Sequence, residues 1–280
     1  MADFPIDYSS KFVPLIGAIS RMPLFAGLKI QARVINALMM REAMTRFGRE
    51  NIGFFWLMGE PMIITVGIMI IWSLAGLTHG HGVDVIPFAL SGYSLLTLWR
   101  HITGGSVHCF RRNAGLLFHR NVHFIDTLIA RTLLESAGTG SAFFVAYVPL
   151  LLLGYVEPLN DPLLVISAWL LLMWFSFGVA LIIASLTEMS EVFEHFVPPV
   201  MYLMLPISGT FFMVDWLPQK YRDLAVYSPQ MDISEMFRCG MFGDKVKTYW
   251  NVSYLLAWCI VVTAIGYLLA SQARRRIRFQ

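Results

Sequence analysis

The chain has 280 residues, of which 57% are hydrophobic and 14% are charged, with a formal net charge of +3. Soluble globular domains carry about 25% charged residues, so this composition excludes a water-soluble domain. The apolar residues gather in segments of about 20 residues, the length that a helix needs to cross a bilayer. The sequence therefore predicts an integral membrane protein with an all-α fold.

The N-terminal segment and the cysteines give no sign of secretion or of disulfide bonding. Residues 1–30 show neither a basic n-region nor a distinct cleavage site, so we expect this segment to be retained, cytosolic and surface-lying. Cys109, Cys239 and Cys259 have no paired spacing. They predict neither a disulfide framework nor a zinc site.

Six apolar segments predict transmembrane helices. They are residues 54–77, 86–110, 123–156, 163–186, 196–214 and 250–270. The fifth segment contains Pro198, Pro199 and Pro206, which predict a kinked or broken helix. The connection 215–249 alternates aromatic, charged and apolar residues, and we expect it to form a re-entrant pair of short helices sheltered within the bundle. The resulting parts are an N-terminal segment with an interface helix, a six-span domain and a basic tail, at residues 1–53, 54–270 and 271–280.

The distribution of lysine and arginine predicts that both termini lie in the cytosol. Seven of these residues occur in 1–53, three in 111–122 and four in 271–280, whereas 78–85 and 157–162 contain none. The connection 187–195 is acidic where the rule expects basic residues. Acidic residues contribute little to the rule, so the predicted orientation is kept.

The residues before the first span have the pattern of an amphipathic helix. Met40, Ala43, Met44 and Phe47 recur on one face, and Glu42, Arg46 and Arg49 lie opposite. Such a helix lies along a membrane surface. One interpretation is a membrane anchor. The other is a docking surface for a soluble partner, because its polar face carries charges of both signs.

The connection after the second span is too apolar for an ordinary solvated loop. Leu116, Leu117 and Phe118 would be exposed unless something covers them. They either dip into the lipid interface or insert into a cleft of a cytosolic protein. His119 and His123 are four residues apart, but no third ligand is evident and no metal site is predicted.

Charged residues also occur inside the predicted spans. If the second span is one helix to Phe110, Arg100 lies about 15 Å from its inner end, and Glu60 lies about 9 Å into the first span. Charges at such depths usually face a bundle interior or a water-filled path. Either Glu60 and Arg100 neutralise each other, or Arg100 and His101 line a path for anionic cargo. A snorkelling Arg100 is a third possibility.

The sequence lacks the motifs of common catalytic and nucleotide-binding sites. It contains no phosphate-binding GxxxxGK[ST], no HExxH and no nucleophile elbow. If the protein moves a substrate uphill, the energy must come from a separate chain or from an ion gradient.

Several short motifs follow one another along the chain. The interface helix and first span contain Arg41, Glu42, Arg46, Phe47 and Gly48, then Gly53, Phe54, Trp56, Glu60 and Pro61. The next connection and third span contain Asn113, Leu116 and Leu117, then Asp126, Ala130, Arg131 and Glu135. The re-entrant region contains Ser208, Gly209, Phe211, Phe212, Leu217 and Pro218, then Pro229, Glu235 and Arg238. In the order of these motifs the chain resembles the ABC-2 type exporter permeases. The resemblance covers about residues 37–276 and is closest to the inner-membrane permeases of Gram-negative capsule polysaccharide export.

The residue patterns and the resemblance together assign three groups of candidate site residues. The expected ATPase interface comprises Arg41, Glu42, Arg46, Arg49, Arg111, Arg112, Asn113, Leu116 and Leu117. The expected translocation path comprises Glu60, Tyr93, Trp99, Arg100 and His101. The expected outer gate comprises Ser208, Gly209, Phe212, Pro218, Glu235 and Arg238.

The resemblance also implies an assembly. A homodimer of this chain would bind two copies of a cytosolic ABC ATPase, and ATP and Mg²⁺ would bind to that partner while this chain binds no cofactor. A lipid-linked acidic polysaccharide would pass outward across the bacterial inner membrane. A periplasmic co-polymerase and an outer-membrane export protein would continue the path, and no nucleic acid is involved.

Other functions remain open at this point. An ABC-2 permease for another glycan, such as O-antigen, would have a similar sequence. A polytopic acyltransferase with an intramembrane histidine is disfavoured because the histidines are scattered and no acidic partner is evident. A secondary transporter is disfavoured because its halves usually show repeats and none is visible.

Overall fold

The computed structural model describes residues 24–47, 52–75, 82–113, 115 and 122–277. Every regular element within these residues is helical, which confirms the predicted all-α class. The longer helices are α1 (Leu24–Phe47), α2 (Ile52–Leu74), α3 (Val85–Gly104), α5 (Phe124–Leu152), α6 (Pro162–Met189), α7 (Val192–Met204), α9 (Pro229–Phe242) and α10 (Val252–Ile277). The shorter ones are α4 (Cys109–Arg112) and α8 (Gln219–Ala225), with 3₁₀ turns at Pro206–Ser208, Val214–Trp216 and Gly243–Lys245.

The helices coincide with the predicted spans, although they differ in how strongly they favour a membrane. In the part of the chain that the structure describes, Pro162–Met189 and Val252–Ala273 are long and apolar enough to cross a bilayer. A shorter apolar helix covers Met58–Leu74. Six crossings therefore stay a prediction.

One predicted boundary is wrong, and one predicted helix break is present. Helix α3 ends at Gly104 instead of continuing to Phe110, and His108 has a left-handed backbone with φ of 51°. Arg100 consequently lies one turn, about 6 Å, from the end of its helix. Helix α7 ends at Met204, just before Pro206, which is consistent with the broken helix expected from the prolines.

Helix α3 lies at the centre of the bundle. Its residues from Pro87 to Trp99 are buried without interruption, as expected for a helix surrounded by other elements. Leu98, Leu172 and Phe237 bring α3, α6 and α9 into one apolar core. This arrangement leaves few places for a charged side chain, and each of them needs a partner.

Helices α8 and α9, of 7 and 14 residues, occupy the region where a re-entrant pair of short helices is expected. Helix α9 begins with Pro229 at its first position, and the Ser228 hydroxyl accepts the N–H of Met231 at 3.4 Å. Both features are typical helix starts. The short helices are confirmed, while their entry from outside the membrane stays a prediction.

Arg238 holds α9 to the turn before it. The side chain is fully buried, and its guanidinium donates to the carbonyl oxygens of Phe212 at 3.0 Å and Thr210 at 3.2 Å. It also lies 4.0 Å from the centre of the Phe88 ring on α3. Helix α3 can come this close because residue 92 is glycine: a Cβ atom there would lie 2.7 Å from the Thr210 carbonyl oxygen.

Glu235, one turn before Arg238, holds α9 to the 3₁₀ turn that begins at Val214 and to the connection before α10. Its carboxylate accepts the backbone N–H groups of Val214 at 3.0 Å and Tyr249 at 3.2 Å. Buried charges require such hydrogen bonds because no water is present to solvate them. Glu235 and Arg238 therefore brace the fold, and a further role of these residues in gating stays a prediction.

The other expected gate residues lie in or near the turn that this brace holds. Gly209 has a φ of 76°, a conformation that favours glycine. The carbonyl oxygen of Ser208 accepts a hydrogen bond from the Ser234 hydroxyl at 2.9 Å. Phe212 is half-buried and Pro218 is exposed.

We expect Arg238→Met to lower the stability of the fold. The substitution leaves the carbonyl oxygens of Phe212 and Thr210 buried without these donors, and each unsatisfied group costs about 1–3 kcal/mol. Thermal unfolding of the detergent-purified protein, followed by tryptophan fluorescence, measures the effect. Lys220→Met, which removes an exposed cation from α8, is the matched control. Equal unfolding midpoints in the two variants would contradict the bracing role.

Candidate functional site at the end of the bundle where α1 packs

Helix α1 is tied to the bundle by polar contacts on one face. The Gln31 amide donates to the carboxylate of Asp126. Eleven residues further along, the Glu42 carboxylate lies 3.3 Å from the Arg131 guanidinium. Eleven residues are about three helical turns, so both side chains point to α5. Arg41 adds a hydrogen bond of 3.3 Å to Asn113.

The sequence at the start of α5 prepares this attachment. Asp126 is the third residue of the helix, and its carboxylate accepts the backbone N–H of His123 at 2.8 Å. This is half of a capping box, in which a side chain satisfies a free N–H at the helix start. The same carboxylate is the partner of Gln31. One residue therefore both starts α5 and positions α1.

The helix expected before the first span is present as α1. Met40 is 58% exposed and points away from the bundle, as does Met44. Arg41 and Glu42, expected to face an ATPase, contact Asn113 and Arg131 of this chain. The apolar face is thus available to lipid.

A row of charged and titratable groups continues from α1 into the bundle. We call Glu42, Arg131, Glu135, His101 and Glu60 the ion chain. Arg131 lies 3.7 Å from Glu135, and Glu135 lies 3.3 Å from His101 Nδ1. His101 Nε2 then lies 4.0 Å from Glu60. The chain therefore links α1, α5, α3 and α2 in that order.

The centre of the ion chain is closed to solvent. The Glu135 side chain is 1% exposed and the Arg131 side chain is 8% exposed. Burial of an isolated charge is strongly unfavourable, whereas a pair with hydrogen bonds is tolerated. In the sequence, this buried pair is visible as an Arg and a Glu four residues apart in an otherwise apolar span. Both residues entered the sequence-based prediction only as part of a family motif.

The five expected path residues lie in three different surroundings. Glu60 and His101 belong to the ion chain, whereas Tyr93 and Trp99 are buried in the core. Arg100 is exposed, and within the described residues it forms no ion pair with Glu60 or another carboxylate. The proposed Glu60–Arg100 pair is therefore replaced by Glu60–His101. The earlier estimate of the depth of Arg100 does not hold either, because α3 ends at Gly104.

An apolar cavity of about 310 Å³ lies between α3, α6 and α7. Trp99 forms part of its wall on α3, and Phe175, Phe196 and Met201 are among the side chains from the other two helices. Such a lining suits an apolar chain better than a sugar.

Basic side chains of this chain pair with the carboxylates of the acidic connection 187–195. Arg111 lies 3.7 Å from Glu188 and 3.9 Å from Glu191. His108 lies 2.8 Å from Glu194, which precedes the predicted span 196–214, and this hydrogen bond lowers the pKa of the Glu194 carboxyl. Short basic and acidic connections thus pair at the same end of the bundle, which gives a physical reason for the departure from the charge rule.

The remaining residues of the expected ATPase interface are placed only in part. Arg112 is exposed and donates to the backbone carbonyl oxygens of Gly105 at 2.6 Å and Val107 at 2.9 Å. Arg49, Leu116 and Leu117 lie outside the described residues, and for Arg46 only the backbone is described. Within the described part of the chain, no group of three His, Cys, Asp or Glu side chains could hold a metal ion.

Comparison with known proteins matches this architecture to a family of transporters. Residues 33–242 match the family model of ABC-2 type transporters. The chain is 36% identical over 263 residues to the capsule polysaccharide export inner-membrane protein CtrC of Neisseria meningitidis serogroup B, covering 94% of this chain and 99% of that protein. It is 35% identical over 253 residues to the capsule polysaccharide export inner-membrane protein BexB of Haemophilus influenzae, covering 90% and 96%.

A more distant relative extends the comparison. The polysialic acid transport protein KpsM of Escherichia coli is 26% identical over 249 residues, covering 87% of this chain and 95% of that protein. The family match covers all five residues of the ion chain as well as Glu235 and Arg238, and the similarity to CtrC extends over almost the full length of both proteins. The chain belongs to the ABC-2 type transporter family.

Proposed function

We propose that this chain is the membrane subunit of an ATP-driven exporter that moves a capsular polysaccharide across the bacterial inner membrane. The observation that carries the proposal is the near full-length similarity to proteins named for capsule polysaccharide export. The relative named for polysialic acid transport favours an acidic polymer. These names favour capsule over O-antigen, and the cargo we propose is a lipid-linked acidic polysaccharide.

The energy source is a separate ATPase in this proposal. The sequence contains no phosphate-binding GxxxxGK[ST], so ATP and Mg²⁺ are bound by the partner. Two copies of the ATPase bind a homodimer of this chain at the end of the bundle where α1 packs, which faces the cytosol together with both termini. A periplasmic co-polymerase and an outer-membrane export protein receive the polymer.

Arg100 is the residue that we place on the translocation path. It is exposed on α3 next to His101 of the ion chain, and a charge on a membrane helix usually faces a water-filled path or a partner helix. In a homodimer, the side chains of two such arginines offer positive charge to an anionic polymer. The six spans, the re-entrant pair and the outer gate complete the proposed permease.

The ATPase partner provides the first test. When the protein is purified from native membranes in mild detergent, we expect an ABC ATPase to accompany it and the complex to hydrolyse ATP. A complex whose ATPase lacks its phosphate-binding lysine is the control and should assemble without hydrolysis. Purification of the chain with no ATPase would refute the exporter function.

The apolar connection after the second predicted span provides a second test. We expect replacement of Leu116 and Leu117 by serine to reduce the amount of ATPase that co-purifies, because an apolar insertion into the partner is lost. Replacement of Leu152 and Leu153 by serine is the matched control, since this adjacent leucine pair is exposed and lies at the far end of α5. Equal co-purification in both double variants would show that the connection does not bind the ATPase.

Arg100 provides a third test. We expect Arg100→Ala to abolish most polymer export while the protein stays folded and bound to its ATPase, because the path loses a positive charge. Arg100→Lys should retain most export, since it keeps that charge. Surface polymer measured with a capsule-specific antibody, together with ATPase co-purification, checks both statements. Full export by Arg100→Ala would remove this residue from the path.

A further inference from the structure

The attachment of α1 differs from the packing elsewhere in the bundle because it depends on polar contacts. Among the described side chains of α1, Leu38 alone is buried. The apolar surface that α1 hides from solvent is therefore small, and apolar burial contributes little to holding it. The contacts from Gln31, Arg41 and Glu42 determine where the helix lies.

Asp126 and Arg131 are the most enclosed of the groups that contact α1, and Arg131 also reaches the end of α3. Its guanidinium lies directly on the backbone at the end of α3, where a Cβ atom on Gly105 would be 2.1 Å from Nη2. Glycine at position 105 is thus required for this pose. The guanidinium contacts three elements at once: Glu42 of α1, Glu135 of its own helix and the end of α3.

Glu135 connects Arg131 to His101 of α3. One of its carboxylate oxygens lies 3.7 Å from Arg131 and the other lies 3.3 Å from His101. His101 lies within 4.0 Å of Glu60 on α2. A shift of Arg131 would leave the Glu135 carboxylate buried without this partner, which is strongly unfavourable. The enclosed geometry therefore resists any sliding of α1 over α5.

We propose that Arg131 is a positioning residue that makes α1, α5 and the inner ends of α3 and α2 move as one body. When the ATPase displaces α1, the ion chain carries that displacement to Glu60 instead of letting the α1–α5 contact absorb it. This inference rests on the proposed function, since it requires an ATPase that acts on α1. Arg131 contacts neither the polymer nor ATP in this role.

The readout that separates positioning from simple bracing is the amount of polymer exported per ATP hydrolysed. We expect Arg131→Met to assemble with its ATPase and to hydrolyse ATP, while the exported polymer per ATP falls by roughly fivefold or more, the lower range of coupling between linked sites. Gly105→Ala should have the same effect without removing any charge, because the methyl group displaces the guanidinium. Lys245→Met breaks an exposed pair with Glu157 at the other end of the bundle and should leave the ratio unchanged.

A double-mutant cycle tests whether Glu42 acts through Arg131. We expect Glu42→Gln to lower the ratio of export to hydrolysis. The double variant Glu42→Gln/Arg131→Met should be no worse than Arg131→Met alone, since residues in one network give non-additive effects. Additive losses would overturn the proposal.

A cleavable cross-link tests the rigid contact directly. Cysteines replace Gln31 and Asp126 in a variant that lacks Cys109, Cys239 and Cys259, and a short bis-methanethiosulfonate reagent joins them. Because α1 and α5 already move together, export per ATP should be the same before and after cross-linking.

Two further results would overturn the inference, and another result would overturn a different conclusion. An unchanged ratio in both Arg131→Met and Gly105→Ala shows that Arg131 does not couple the helices. Export that stops on cross-linking and returns with a reductant shows that α1 must move over α5. An unaltered chain that purifies with no ATPase refutes the proposed function instead, so the two failures are distinguishable.

Discussion

The burial of Arg131 and Glu135 is the constraint on which this end of the structure depends. The two charges are one turn apart on α5, nearly closed to solvent and 3.7 Å from each other, and a buried pair of this kind needs further hydrogen-bonding partners. Glu42 and His101 are those partners, and they fix where α1 and α3 lie relative to α5. The helices α1, α3 and α5 meet at this point because a buried charge without a partner would be strongly unfavourable.

The region around α9 solves the same problem with backbone groups as partners. Arg238 and Glu235 are also buried, yet they contact carbonyl oxygens and N–H groups of neighbouring loops. A loop enclosed in a membrane protein must satisfy its backbone internally. The charges around α9 bind mainly backbone groups, with Ser91 and Phe88 as additional contacts of Arg238, whereas the ion chain joins side chains of separate helices. This contrast is why we place the moving part at the α1 end.

The sequence predicts the helices better than it predicts the contacts between them. Apolar runs locate the helices, and the prolines correctly indicate the end of α7 before Pro206. The partner of Glu60 could not be obtained from spacing, because it depends on where α3 ends and how α2 crosses it. An amphipathic pattern also identifies two faces of α1 without saying which of them meets the bundle. Arg131 and Glu135 could have been found as an i, i+4 pair of opposite charge within an apolar span.

The close contact between Gly105 and Arg131 has a consequence for reading related sequences. The guanidinium occupies the space that any side chain at position 105 would need, so the two positions form a single unit although 26 residues separate them. A relative with alanine or serine at the equivalent of 105 cannot keep an arginine in this pose and must hold its first helix by other means. This pair of positions therefore distinguishes members of the family that share the same helix attachment from members that share only the fold.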